Sequence, residues 1–171
     1  MAGSLIKIDE EIVTSAVASV TLTGIDSTYD VYQVVVSGYQ PVTDNTNLRI
    51  RVTVTGTGDS SANYDFAGKF LANPSFFNFF STNQTQFQGS SQGTNTGEVT
   101  NQILYLFNFN NASEYSFMTL EENGRDASGN QLGFQGGIVN TVAQACDGIQ
   151  FFQSSGNIAS GKFTLYGLKK W

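Results

Sequence analysis

The side chains of this chain that could carry chemistry are its carboxylates. There are fourteen Asp and Glu residues and no histidine. Without an imidazole, neither a serine nor a cysteine has its usual activating base. One cysteine and no histidine cannot assemble a transition-metal site. That cysteine, Cys146, stands beside Val142, Ala143 and Ala145, as a small buried thiol would, and it has no second cysteine to pair with. No phosphate-cradling G-x-x-x-x-G-K-[ST] is present, and no G-x-G-x-x-G follows a strand.

Three acidic groups are close in sequence: Asp9-Glu10-Glu11, Glu121-Glu122 with Asp126, and Asp26 with Asp30. A glycoside hydrolase needs two carboxylates facing each other about 5–10 Å apart across a cleft. Neighbours on a strand point to opposite faces, so Glu121 and Glu122 cannot be that pair. A solvated hairpin end is expected for them. Asp26 and Asp30 flank a loop that could offer oxygens to calcium, but the spacing is not that of an EF-hand. An Asx-turn is the simpler expectation. The chain therefore reads as a non-enzymatic protein with no cofactor and no metal site. A carboxylate-dependent polysaccharide hydrolase is the enzyme reading that paired acids in a cleft would revive.

The elements that must position these residues repeat with a period of two. Leu48 to Thr55 (LRIRVTVT) alternates apolar and polar residues strictly, as a half-buried strand does. The arginines and threonines fall on its outer face, and Arg49 and Arg51 are expected to pair with local carboxylates. Val31 to Ser37 is more continuously apolar, as expected nearer a sheet centre. Val17–Gly24, Gln102–Phe109, Tyr115–Leu120, Ile149–Phe152 and Lys162–Leu168 also read as strands. Asn123-Gly124 and Asp147-Gly148 are dipeptides that favour two-residue hairpins. The best helix candidate is the short Ile138–Cys146 run. Seven to nine short strands with regular turns predict an all-β protein, a β-sandwich or barrel in one domain over residues 1–171.

One stretch differs. Residues 71–98 open on Phe76, Phe77, Phe79 and Phe80 and continue in Ser, Thr, Asn, Gln and Gly. They read as one long Phe/Asn/Gln-rich loop. Its phenylalanines could fold back as a lid on the core, dock on a neighbouring subunit, or line a pocket for an aromatic ligand. Residues 1–11 read as a possible N-terminal arm, packed on its own sheet or reaching a neighbour.

Charge is scarce at 13% Asp, Glu, Lys and Arg, against about 25% in an average soluble domain. A surface of uncharged polar residues suits tight pairing with other surfaces. The net charge of −6, with its eight basic residues scattered, argues against nucleic acid. No run approaches the ~20 apolar residues of a membrane span. The N-terminus lacks the apolar run of a signal peptide, which points to synthesis in a cytoplasm.

Two segments carry a resemblance. The first is VTLTGIDSTYDVY (Val20–Tyr32), running on through VVVSGYQPVTDNTNLRIRVT. The second is SGKFTLYGL (Ser160–Leu168), preceded by Asp147–Phe152 and Ser155–Ile158. Together they resemble the opening "GIDxxYDxYxLxxxG" and the closing "SGxFxLYGL" of small virion structural proteins of tailed bacteriophages, of the marine and cyanobacterial type. The resemblance covers the first third and the last seventh of the chain. It implies a β-sandwich of jelly-roll type that decorates or reinforces a capsid or tail. It also implies association into homo-oligomers, as trimers, with major capsid or tail proteins as further partners and the virion as location. It supplies no catalytic residues. A module binding host surface glycans is the alternative of a different class, with the Phe/Asn/Gln-rich stretch as its site. Phe76, Phe77, Phe79, Phe80 and the terminal Trp171 are the candidate interface residues. Trp171 could be free, packed on its own domain, or docked on a neighbour. In the last strand, Phe163 and Leu165 are expected inside and Thr164 and Tyr166 on the other face.

Overall fold

The computed structural model describes residues 4–169. Trp171 lies outside the described residues. Within them are thirteen strands: β1 (Leu5–Val13), β2 (Ser19–Thr23), β3 (Val31–Pro41), β4 (Thr46–Val54), β5 (Thr57–Gly58), β6 (Tyr64–Leu71), β7 (Phe76–Gln84), β8 (Phe87–Gln92), β9 (Thr100–Phe107), β10 (Ser116–Arg125), β11 (Gln131–Asn140), β12 (Gly148–Gln153) and β13 (Ile158–Leu168). There is no helix among the described residues.

The strands form two antiparallel sheets. One has eight strands in the order β1-β13-β3-β9-β10-β11-β6-β7. The other runs β2-β12-β4-β5, with β8 also paired to β4. The sheets pack face to face on one cluster of buried residues drawn from both. Phe151 of β12 meets Phe163 of β13 with ring centroids 5.2 Å apart, and Phe87 of β8 meets Phe134 of β11 at 5.2 Å. This is the expected all-β, sandwich-like architecture.

The period-two reading finds the apolar face of β4, but Thr53, expected outside with the arginines, is fully buried, its hydroxyl donating to Asp147 Oδ1 at 2.6 Å. Leu48, Ile50 and Val52 are buried and Arg49 and Arg51 are half-buried. Phe163 and Leu165 are fully buried; Thr164, on the opposite face, is buried as well, and its hydroxyl donates to Glu10. The N-terminal segment packs on its own sheet: β1 pairs with β13, and Asp9 Oδ2 accepts from the Thr23 amide at 2.7 Å.

Several expectations are corrected. Residues 71–98 are not one long loop, since they hold β7 and β8. The backbone of β6 pairs with β7 from Leu71↔Phe76 to Phe66↔Ser81 and supplies the partners that a polar composition does not announce. Ile138–Cys146 is not helical. Its backbone donors leave the segment: Thr141 donates to Asn63 O, and Cys146 to Phe109 O. Asn123-Gly124 lies inside β10, and the hairpin turns at Asp126–Asn130 instead, where Asp126 Oδ1 accepts from the Ser128 and Asn130 amides. Gly124 serves a close approach, because a Cβ there would lie 2.3 Å from Thr100 Oγ1. Gly148 likewise opens β12 between β2 and β4 and makes no turn.

Candidate functional site

Two features stand out where the eight-stranded sheet extends beyond β9, one on its surface and one in its interior. The first is the edge strand β7. Its alternation splits the four phenylalanines. Phe77 and Phe79 point to the inner face, where they meet the ring of Phe70 with centroids 5.1 and 4.7 Å away. Phe79 also stacks on Phe66 at 5.1 Å. Phe76 and Phe80 point the other way and are 73% and 74% exposed; Phe77 is 50% exposed. The lid reading therefore describes Phe79, while the docking reading has Phe76 and Phe80 free to serve it.

Phe79 finds room because two glycines lie opposite it. Gly68 pairs with Phe79, and Gly136 pairs with Gly68. A Cβ on either glycine would lie 2.6 Å from the Phe134 ring. The missing side chains let Phe79 and Phe134 close over the strands, with centroids 6.1 Å apart.

On the outer face Phe80, Ala67, Gly137 and Thr119 form one cross-strand row. The small pair at its centre leaves an open apolar groove of about 610 Å³, with Phe80 on one side and Phe117 on the other. Phe117 is 45% exposed. Sequence reading missed it, although its place in the β10 alternation puts it outside. A smaller cleft of about 210 Å³ opens on the inner side, where Phe70, Phe77 and Phe79 meet Asn47, Gln88 and Ser91.

The second feature is Glu122. Glu121 is exposed, but Glu122 is buried between the sheets, which corrects the expected solvated hairpin end. Its Oε1 accepts from the amide of Ser90 at 3.1 Å and from the Ser90 hydroxyl. Its Oε2 accepts from Gln102 Nε2 at 2.5 Å. Burial pushes its carboxyl above the usual carboxylate range, against the pull of these hydrogen bonds. Tyr39 lies nearby with its hydroxyl buried and unpartnered, and burial, with the Glu122 charge second, pushes its phenol far up.

The remaining candidates resolve into structure. Asp26 Oδ1 accepts from the Thr28 amide at 2.7 Å, an Asx-turn as expected. Tyr32 OH donates to Asp26 O at 2.6 Å and accepts from Asp26 N at 2.9 Å. Among the described residues Arg49 and Arg51 pair with no carboxylate. Arg49 donates to Gln88 Oε1, while Arg51 donates to Thr85 O and Gln86 Oε1 and lies 4.6 Å over the Phe152 ring. β8 and the turn that leads into it supply the acceptors, since residues 71–97 contain no carboxylate. Cys146 is buried, with its thiol pushed up by burial. Among the described residues no group of three or more His, Cys, Asp or Glu is placed to hold a metal ion, and no helix is long and apolar enough to cross a membrane.

Compared with known proteins, the chain matches no family model, no curated protein and no solved structure.

Proposed function

We propose that this chain is a non-enzymatic structural component of a phage virion, a jelly-roll that self-associates and decorates or reinforces a capsid or tail. The observation that carries the self-association is β7, an edge strand with Phe76 and Phe80 turned to solvent. Aromatic side chains are enriched at the centres of protein interfaces, where they bury large areas at little entropic cost.

Two further observations support the reading. The segments that resemble phage virion proteins are neighbours in the fold. β3, which holds the end of the opening motif, pairs with β13, which holds the closing one, through Tyr32↔Gly167 to Lys162↔Ser37. Eight strands also pair as nested antiparallel partners: β1 with β13, β2 with β12, β3 with β9, and β4 with β8. A long two-stranded ribbon wound into two sheets gives that nesting, and a jelly roll is such a winding. The strands β6, β7, β10 and β11 then widen one sheet and carry the aromatic edge out of the wound core.

Antibody to the chain, applied to purified particles, tests the assignment. Regular labelling of heads or tails is expected, and unlabelled particles overturn it.

A second reading, glycan binding, draws on the inner cleft, where three aromatic rings face the amides of Asn47 and Gln88. Binding on a glycan array that is lost in Asn47→Ala and Phe77→Ala would favour it. These point variants are the better test because deleting the whole stretch would remove two strands.

A further inference from the structure

The geometry points to β7 as the self-association surface, pairing antiparallel with β7 of a second copy about a two-fold axis at Asn78. This deepens the self-associating reading above and rests on it.

Three observations single out a second copy as the occupant. The first is sequence symmetry. Ser75 to Ser81 reads SFFNFFS, the same in both directions. In an antiparallel pair about a two-fold at Asn78, each residue faces its own type. Asn78 faces Asn78, Phe76 faces Phe80, Phe77 faces Phe79, and Ser75 faces Ser81. An unrelated strand would have no reason to match a palindrome, whereas an isologous interface must be complementary to itself.

The second is the phase of the hydrogen bonds. The amide of Ala72 donates to Ser75 O at 3.1 Å across the turn into β7. Backbone groups alternate in direction along a strand. Phe77 and Phe79 therefore direct their N–H and C=O to β6, and Phe76, Asn78 and Phe80 direct theirs to the free edge. In the two-fold register these outward groups meet one another: 78 with 78, and 76 with 80. A shift of the pairing by one residue would set outward groups against inward ones. The symmetric register thus satisfies side-chain matching and backbone bonding together.

The third is charge. Two copies of a chain with net charge −6 repel wherever their acidic surfaces meet. Residues 70–97 contain no charged residue, the longest such run in the chain. Natural sheets guard their edges with charges, bulges or shortness. The opposite edge of this sheet, β1, carries Lys7, Asp9, Glu10 and Glu11 and a register shift between Lys7 and Asp9. The edge strand β2 has five residues. By contrast β7 has nine residues, with no charge and no proline; its register with β6 is unbroken from Phe76 to Ser81, and its own bulge, between Ser81 and Gln84, lies beyond the palindrome.

The pairing would join the two eight-stranded sheets into one. The outer-face ladder would run Leu71, Phe76, then the second copy's Phe80 and Ala67. The exposed half of Phe77 would be covered by the second copy's Phe79. A two-fold pairing closes at two copies, so the three-fold association implied by the sequence resemblance would need another surface.

Light scattering on the full chain and on two variants tests this. The wild type is expected at an even multiple of the 18.5 kDa chain mass. Asn78→Lys sets two ammonium groups directly opposite at the axis, where like charges destabilise, and is expected to halve that mass while keeping the strand signal in circular dichroism. Asn78→Cys is expected to form a disulfide-linked dimer under mild oxidation, because a hydrogen-bonded antiparallel pair holds its Cα atoms about 5.5 Å apart, within disulfide reach. A wild type that stays monomeric at ~100 μM, well above the ~1 μM Kd of a modest interface, overturns both the pairing and the self-associating reading. An oligomer that Asn78→Lys leaves intact, with no cross-link in Asn78→Cys, overturns the β7 pairing and leaves self-association to another face.

Discussion

Gln102 donates through Nε2 to Glu122 Oε2 at 2.5 Å in the interior of the sandwich, while its own Oε1 has no partner. The carboxylate is held by neutral donors from Ser90 and Gln102, and the ion pairs found among the described residues are elsewhere, at Glu10. A buried carboxylate solvated only by neutral groups carries a desolvation penalty whenever it is ionised.

Stability should therefore fall with pH because of Glu122. A carboxyl whose folded pKa is raised holds its proton more tightly when folded. Its contribution is complete below the ordinary value of 4.5 and is lost as pH rises from there through the folded pKa. Asp26 has the opposite sign. The Thr28 amide holds its carboxyl below the usual range, so its contribution is lost as pH falls. Glu122→Gln cannot ionise, and the Gln102 amide can turn over to offer its unpartnered oxygen to the new amide group. Thermal melts should show Glu122→Gln gaining on the wild type as pH rises above about 4.5. A pH-independent difference would contradict it. Glu122→Ala, which strands the Ser90 and Gln102 donors, should cost about 2–4 kcal/mol.

The adjacent glycines of β11 should differ sharply by face. Gly136→Ala puts a Cβ 2.6 Å from the Phe134 ring and 2.5 Å from Ala67 O, so it should destabilise by about 1–3 kcal/mol. Gly137→Ala, one residue on, meets nothing nearer than Met118 O at 3.9 Å. It should be neutral, or stabilise by up to ~1 kcal/mol through the unfolded chain. Urea unfolding of the two variants settles the contrast, and equal losses would mean that the Phe134 ring does not lie over the glycines.

The four phenylalanines of β7 should likewise separate by face. Phe79→Ala removes a ring packed on Phe66 and Phe70 and should cost about 2–4 kcal/mol. Phe80→Ser removes a ring exposed in the single chain and should leave the unfolding free energy, read at concentrations where the chain is monomeric, within about 0.5 kcal/mol of wild type. A large loss of stability in the monomeric Phe80→Ser variant would place that ring in the core.

How much of this was legible follows from where period two is sufficient. In β4 the alternation of Leu48, Ile50 and Val52 with Arg49 and Arg51 marks both the strand and its buried face. In β7 it fails because FFNFF puts aromatics on both faces, one set packed and the other exposed, and the polar residues that follow read as loop. Pairing with β6 makes it a strand, and that contact spans the Ala72–Ser75 turn rather than any local preference. For Glu122 the signal was present. Ser116, Met118 and Leu120 set the inward phase of β10, and Glu122 is next in it. Reading Asn123-Gly124 as the turn ended the strand too early and hid the buried carboxylate.

The two segments behind the sequence resemblance should be coupled through one contact. Tyr29, in the loop between β2 and β3, lays its ring against Gly167 of β13; a Cβ there would fall 2.4–2.6 Å from three ring carbons. The ring also meets Tyr32 edge-on at 5.7 Å, and Tyr32 holds both backbone groups of Asp26. Gly167→Ala must then push Tyr29 outward, at a cost of about 1–3 kcal/mol. Tyr29→Ala should cost a comparable amount by uncovering the strand. In the double variant the new methyl group enters the space the ring has left, so the second substitution should cost little or nothing. A coupling energy of about 1 kcal/mol or more in this cycle, read from denaturant unfolding, is the expected result. Strict additivity would show that the opening loop and the closing strand are held by their backbone pairing alone.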